Sequence, residues 1–291
     1  MKKFCYVSML IAFMWIATFD VSYAQENNTG YNPNSVHPVN NAYIMYKKTL
    51  WRRMDLEEKQ NAPFFSRNGE LPTILINAVK QGILFPYTND SVTTRMSKET
   101  FLENLKLPEE GEGLTDEERA MGFGDEEDDF GDWGSEDGED AGGDEVEQVF
   151  ETDEFPPRDF SIVEIKEDMF FDRNRSRMYY DIQSITLFLP ADKNPALYEK
   201  PLASFKYKDL VYLFRSMPDE AIWYNAQNIA EHKNFADAFQ LRLFSSNLTK
   251  FANPDDMRIT EIYDKSRREG ILASQRLEHD MIEFENELWE F

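Results

Sequence analysis

His37, His232 and His279 are the only histidines, and none stands beside a thiol, an activating motif or a second histidine at zinc spacing. No serine sits in a nucleophile elbow, and no glycine-rich loop joins a strand to a helix, so acyl transfer and phosphate cradling have no residues to start from. Carboxylates are abundant, 55 in all, and at that density paired acids carry no signal for glycoside chemistry. The string DEEDDFGDWG (residues 125–134) has the composition of a calcium loop but not its order. With Gly131 in the obligatory sixth position, Glu126, Asp128 and Phe130 fall at positions 1, 3 and 5, and no register restores every oxygen ligand. The reading is a chain without catalytic residues, metal or cofactor.

What remains for chemistry is charge recognition. Arg173, Arg175 and Arg177 alternate in one short stretch, and Arg52 and Arg53 follow Lys47 and Lys48 in another. Such clusters suit acidic surface on a partner or the protein's own acidic stretch. Phe123, Phe130 and Trp133 could act as short docking anchors inside that stretch, and Trp289 is a further candidate partner contact at the C-terminus. Trp51, Trp223, Tyr224 and Trp289 could alternatively stack on sugar rings, which keeps a polysaccharide-binding or hydrolysing protein as the second reading, although aromatics in apolar strings usually belong to a core.

Charge also divides the chain. Residues 109–154 hold twenty-two Asp and Glu, nine Gly and one basic residue, Arg119, which accounts for 21 of the 24 net negative charges and leaves −3 for the rest. Too little apolar surface is present there to offset ordering entropy, and like charges repel within a Debye length of ~10 Å, so the stretch reads as a disordered tether. Nucleic acid is excluded as a partner by the same negative charge. Lys2 and Lys3 precede an apolar run over residues 4–19, and Val21-Ser22-Tyr23-Ala24 supplies small residues before a cleavage site at Gln25. This is a secretory signal peptide, its run of ~16 residues being short of the roughly 20 that span a bilayer. Cys5 lies within it, which leaves the mature chain without lipidation, disulfide or thiol. The expected organisation is a signal peptide (1–24), a mobile arm (25–40), an N-terminal folded segment (41–108), the tether (109–154) and a C-terminal segment (155–291).

Within the first segment, residues 43–56 fit a helix through Tyr43, Tyr46, Leu50 and Met54 and equally a strand through Ile44, Tyr46, Leu50, Met54 and Leu56. Pro72 opens a short helix over 73–81 that Gly82 caps, and a short strand follows over 83–87. Past the tether, residues 162–171 and 178–189 read as a hairpin turning through Asp172-Arg173-Asn174-Arg175, with Asn174 the residue best suited to a positive φ. Val163, Ile165, Met169 and Phe171 then share one face. A helix over 234–251 is expected from Phe235, Phe239 and Leu243 beside Leu241, Phe244, Leu248 and Phe251, with Asn234 as its cap and Pro254 as its stop. One or two helices over 255–289, interrupted at Gly270, complete an α+β fold.

Five strings add to this: KKTLWRRMDLEEKQNAPFF (47–65), LPTILINAVKQGILFPY (71–87), IKEDMFFDRNRSRM (165–178), FADAFQLRLFSSNLTK (235–250) and ASQRLEHDMIEFENELWEF (273–291). In their order and proportions the chain resembles the GldN/PorN family of the Bacteroidota gliding-motility and type IX secretion machinery, most specifically in IKEDMFFD and in the ending at 284–291. The resemblance covers most of 41–107 and 160–291. It implies a non-enzymatic periplasmic subunit that self-assembles in a ring with an outer-membrane lipoprotein of the GldK/PorK type and contacts the inner-membrane GldM/PorM protein. Membrane association would then come only through partners. The family pattern has no counterpart to so long an acidic insert, and the match over 210–225 is loose. Asp90-Ser91-Val92 has the Asp-Ser-apolar form of an O-glycosylation acceptor in exported proteins of such bacteria, which makes Ser91 a candidate.

One intact-mass measurement on the protein recovered from its own cells checks both processing expectations. The mass of a chain beginning at Gln25, raised by a glycan that Ser91→Ala removes, is the expected outcome; retention of Met1 or a bare polypeptide mass contradicts the respective part.

Overall fold

The computed structural model describes residues 30–107, 154–263 and 267–288. Residues 1–29 and 108–153, and with them the signal peptide, Phe123, Phe130, Trp133 and the calcium test, lie outside the described residues, as does Trp289.

Residues left open between helix and strand form strand β1, Ile44–Asp55. It pairs antiparallel with β2 (Ile162–Asp172) along its whole length, and over Leu50–Arg53 with β7 (Asn247–Phe251) on its other side. The expected hairpin is present, β2 turning into β3 (Arg177–Leu189), and β4 (Lys200–Lys206) completes a five-stranded sheet in the order β4-β3-β2-β1-β7. Antiparallel partners share a face, so the register writes the core in rows: Met54 with Val163 and Leu187, Arg52 with Ile165 and Ile185, Leu50 with Glu167 and Ile182, Tyr46 with Phe171 and Met178. Val163, Ile165, Met169 and Phe171 thus take alternate positions along β2, with Glu167 between them.

Helices cover that face. Over its Met54 end lie α1 (Leu71–Lys80), α3 (Tyr207–Ser216) and α4 (Phe235–Gln240), with α2 (Lys98–Leu105) in the same core. Pro72 near the start of α1 and Gly82 at φ 75 beyond its end are the boundary signals at work. Phe64, fully buried, stacks 5.4 Å from Phe235 and 4.9 Å from Phe239. A second cluster, Leu50, Met169, Leu248, Ala273 and Met281, lies under the 21-residue C-terminal helix α6 (Arg267–Glu287) and takes in Ile259 of α5 (Ile259–Ile262). Both clusters combine residues from before and after the acidic stretch, so segments 41–108 and 155–291 share one sheet and one core. A separate two-stranded ribbon pairs β5 (Ile222–Trp223) with β6 (Lys233–Asn234).

Several local expectations are overturned. Residues 83–87 form no strand: only Tyr87 makes isolated bridges, to Arg95 and Ser204, because Pro86 has no N–H for a ladder and Ile83 and Phe85 stay exposed. The helix expected over 234–251 ends at Gln240. Asn234 does cap it, accepting from the Ala236 N–H at 2.9 Å, but Arg242 turns left-handed at φ 54 and the chain then supplies strand β7. Pairing with β1 outweighs the helical spacing of Leu241, Phe244, Leu248 and Phe251, and Leu241 is left exposed. At the hairpin tip the positive φ falls on Ser176, while Asn174 donates its N–H to Asp172 Oδ1 at 2.9 Å. Gly270 interrupts nothing: it lies inside α6, where a Cβ would come 2.6 Å from Thr260 Cγ2, so the missing side chain lets α6 close on α5. Part of the supposed mobile arm is packed, Asn32 Nδ2 donating to Gln183 Oε1 at 2.9 Å and Ser35 being buried.

Lys106 and Glu154 form an antiparallel bridge, and the Phe155 N–H reaches Leu105 O at 2.9 Å. The acidic stretch leaves and returns at one place. Deleting residues 112–150 therefore shortens a closed loop from about 46 to about 7 residues, which removes closure entropy worth ~1–2 kcal/mol. Circular-dichroism melts should show an unchanged fold and an equal or higher Tm. Truncation from Phe284, whose ring lies 4.7 Å from Tyr46, should lower it. A deletion as damaging as the truncation contradicts this account.

Candidate functional site

Glu167 is fully buried in the middle of β2 and is satisfied entirely by cations. Arg52 Nε donates to Oε1 at 2.7 Å, and Arg242 Nη1 donates to Oε2 at 2.5 Å. Arg52 continues through Nη1 to Glu278 Oε1 at 2.5 Å on α6, while the Arg242 guanidinium lies 4.5 Å over the Tyr180 ring. Two guanidiniums and two carboxylates thus close a neutral cluster joining β1, β2, the turn after α4 and α6. Burial works against the charge on Arg52, but Glu167 and Glu278 outweigh it and hold the guanidinium pKa above its ordinary value. This is an arrangement for fixing elements, and Arg52, only 9 % exposed, is not available to a partner.

The other candidates scatter. Arg53 forms a bidentate pair with Glu199, Nη1 to Oε2 at 2.7 Å and Nη2 to Oε1 at 2.5 Å. Arg173, Arg175 and Arg177 are exposed together at the hairpin tip, where the Asp172 carboxylate is 3.9 Å from Arg175 Nε. Ser91 is exposed on a loop anchored by its neighbour Asp90, which accepts from Trp51 Nε1 at 2.7 Å and pairs with Lys166 at 3.1 Å. Burial opposes ionisation of Asp90, yet those two donors hold its carboxyl below the ordinary range. His37 meets Gln240, His232 Nδ1 accepts from the Asn225 N–H, and His279 faces Glu283, so the three histidines occupy three separate places. Among the described residues no cluster of three or more His, Cys, Asp or Glu has metal geometry. Trp51 is buried on the sheet, whereas Trp223 and Tyr224 belong to the small ribbon and its loop, so these aromatics present no common sugar-stacking face.

Residue patterns gave no sign of a groove of about 660 Å³ at the end of the sheet away from the hairpin tip. Asp55, Glu58, Asp192, Glu199, Arg53 and Arg258 line it, brought together from three distant stretches. Glu164 lies beside it with its side chain 17 % exposed, and Arg258 is 4.0 Å away. Burial, with Asp90 adding to it, raises its carboxyl pKa against the pull of Arg258 and Arg53.

Two stability predictions result. Glu167→Ala leaves buried Arg52 without its main partner and should cost about 3–5 kcal/mol in denaturant unfolding, whereas Glu278→Ala, at a half-exposed site, should cost about 1 kcal/mol or less. Equal losses would show that the cluster is not centred on Glu167. For Glu164 the folded pKa is above the ordinary 4.5, so its ionisation costs stability as pH rises through and beyond that window. Glu164→Gln should accordingly exceed the wild type in stability at pH 7, with the advantage gone by about pH 4; an advantage independent of pH contradicts the assignment.

No helix among the described residues is long and apolar enough to cross a membrane. Comparison with characterised proteins returns no match. The family model described as gliding motility associated protein GldN matches residues 39–290, a span that takes in every strand of the sheet and the helices over it. On that match the chain belongs to the GldN family of gliding-motility associated proteins.

Proposed function

We propose that this chain is a non-enzymatic, periplasmic subunit of the type IX secretion and gliding machinery, building a ring with an outer-membrane lipoprotein of the GldK/PorK type and contacting the inner-membrane GldM/PorM protein. The observation that carries the reading is the GldN match across 39–290, which takes in every strand of the sheet. The fold supports a mechanical role: Glu167, fully buried, is spent on tying four elements together, and the exposed arginines stand at a hairpin tip suited to meeting another protein.

Gentle extraction of tagged protein from its own cells, followed by native size measurement and identification of companions, tests it. A megadalton-scale, membrane-associated assembly containing the lipoprotein is expected. A free monomer without either companion contradicts the proposal.

A further inference from the structure

The sheet is electrically polarised along its strands. At one end the hairpin tip exposes Arg173, Arg175 and Arg177, whose one ion pair among the described residues is that of Arg175 with the buried carboxylate of Asp172, and Tyr43 and Met45 stand exposed beside them at the start of β1. Tyr43 is held there by the Arg173 N–H, which donates to its carbonyl at 2.8 Å. At the other end lies the groove, where β1 finishes at Asp55, β2 starts at Ile162 and the chain leaves β3 through Pro190.

Five carboxylates, Asp55, Glu57, Glu58, Asp192 and Glu199, line the groove against two guanidiniums, Arg53 and Arg258. Glu199 is engaged by Arg53 and Glu57 by Lys193, but Asp55, Glu58 and Asp192 make no ion pair among the described residues. Ile271, 47 % exposed, lines it, and Leu197 and Tyr198, 79 % and 57 % exposed, directly precede the lining residue Glu199 in the chain. The two ends are separated by the length of β2, ~36 Å for eleven residues.

We propose that the basic hairpin tip of one copy of this chain seats in the acidic groove of the next. The occupant is a second copy because tip and groove complement each other in charge and apolar flanks while standing at opposite ends of one rigid sheet, too far apart to meet within a molecule. A contact between two different surfaces of the same chain is heterologous: it repeats head to tail and closes into a ring when its rotation closes. The inference deepens the ring reading proposed above and rests on it for its biological meaning, but it can fail alone.

The test uses the purified mature protein and sedimentation velocity. The wild type should self-associate, and more weakly as salt rises to ~1 M, where the Debye length falls to ~3 Å. Arg173→Glu with Arg177→Glu, and separately Glu58→Lys with Asp192→Lys, should each weaken association by about tenfold or more with unchanged circular dichroism, since all four side chains are exposed. Mixing the two variants should restore association, each reversed tip meeting a reversed groove. A variant lacking residues 112–150 should still associate. The proposal is overturned if the wild type is monomeric at low salt, if mixing restores nothing, or if removing the acidic stretch abolishes association, which would make that stretch the partner of the tip. In any of these cases the lipoprotein-bearing assembly can still be recovered from cells, so the failure of this contact and the failure of the ring reading are distinct results.

Discussion

A fully buried carboxylate in the middle of a β-sheet is tolerable only while its cations stay in place, and Glu167 imposes that condition on the whole molecule. Arg52 must come from β1, so β1 must lie beside β2 in the observed register. Arg242 must come from the turn after α4, so that helix must stop after six residues and let the chain return as β7. Glu278 then draws α6 across the sheet above Leu50, Met169 and Tyr46. Ion pairs of this kind add little net stability over an apolar core, but they penalise every arrangement in which one partner is missing. The cluster specifies one packing of elements that apolar contacts alone would leave less defined.

The same constraint explains why a stretch carrying most of the negative charge can be carried inside a single folding unit. Strand β1 precedes it and β2 follows it, and the two are paired from Ile44 to Asp55 with one register shift between Ile44 and Tyr46. The Lys106–Glu154 bridge holds the two ends of the stretch together at the rim of the core. Edges are handled likewise: β7 is backed by α6, Ser274 Oγ donating to Leu248 O at 2.8 Å, and β4 is bridged by Tyr87.

The hairpin of β2 and β3, helix α1 with its proline and glycine signals, the Asn234 cap and the α+β class were legible because each depends on neighbours within one element. What was not legible depends on partners far along the chain. Residues 43–56 fit two periods, and the pairing with β2, beyond the acidic stretch, decides between them. Leu241 to Phe251 has helical spacing, yet an ion pair to Glu167 and an open edge on β1 convert it to a turn and a strand. One signal was available: in IKEDMFF the alternation puts Glu167 on the apolar face between Ile165 and Met169, and a charge there calls for a buried cation. Arg52 was read as a partner contact when it is that cation. The acidic groove could not be read from residue order, since its lining converges from stretches far apart in the chain.

The central claim is that the residues before and after the acidic stretch form one cooperative body around Glu167, and cutting the chain inside that stretch tests it most directly. Fragments 25–115 and 148–291 would be purified separately, then mixed, and followed by circular dichroism and thermal melting. The account predicts that neither fragment alone shows native sheet content or a cooperative melt, and that mixing restores both in a single transition. If either fragment folds cooperatively alone, or if the mixture melts in two independent steps, the molecule consists of separable domains and the account is wrong.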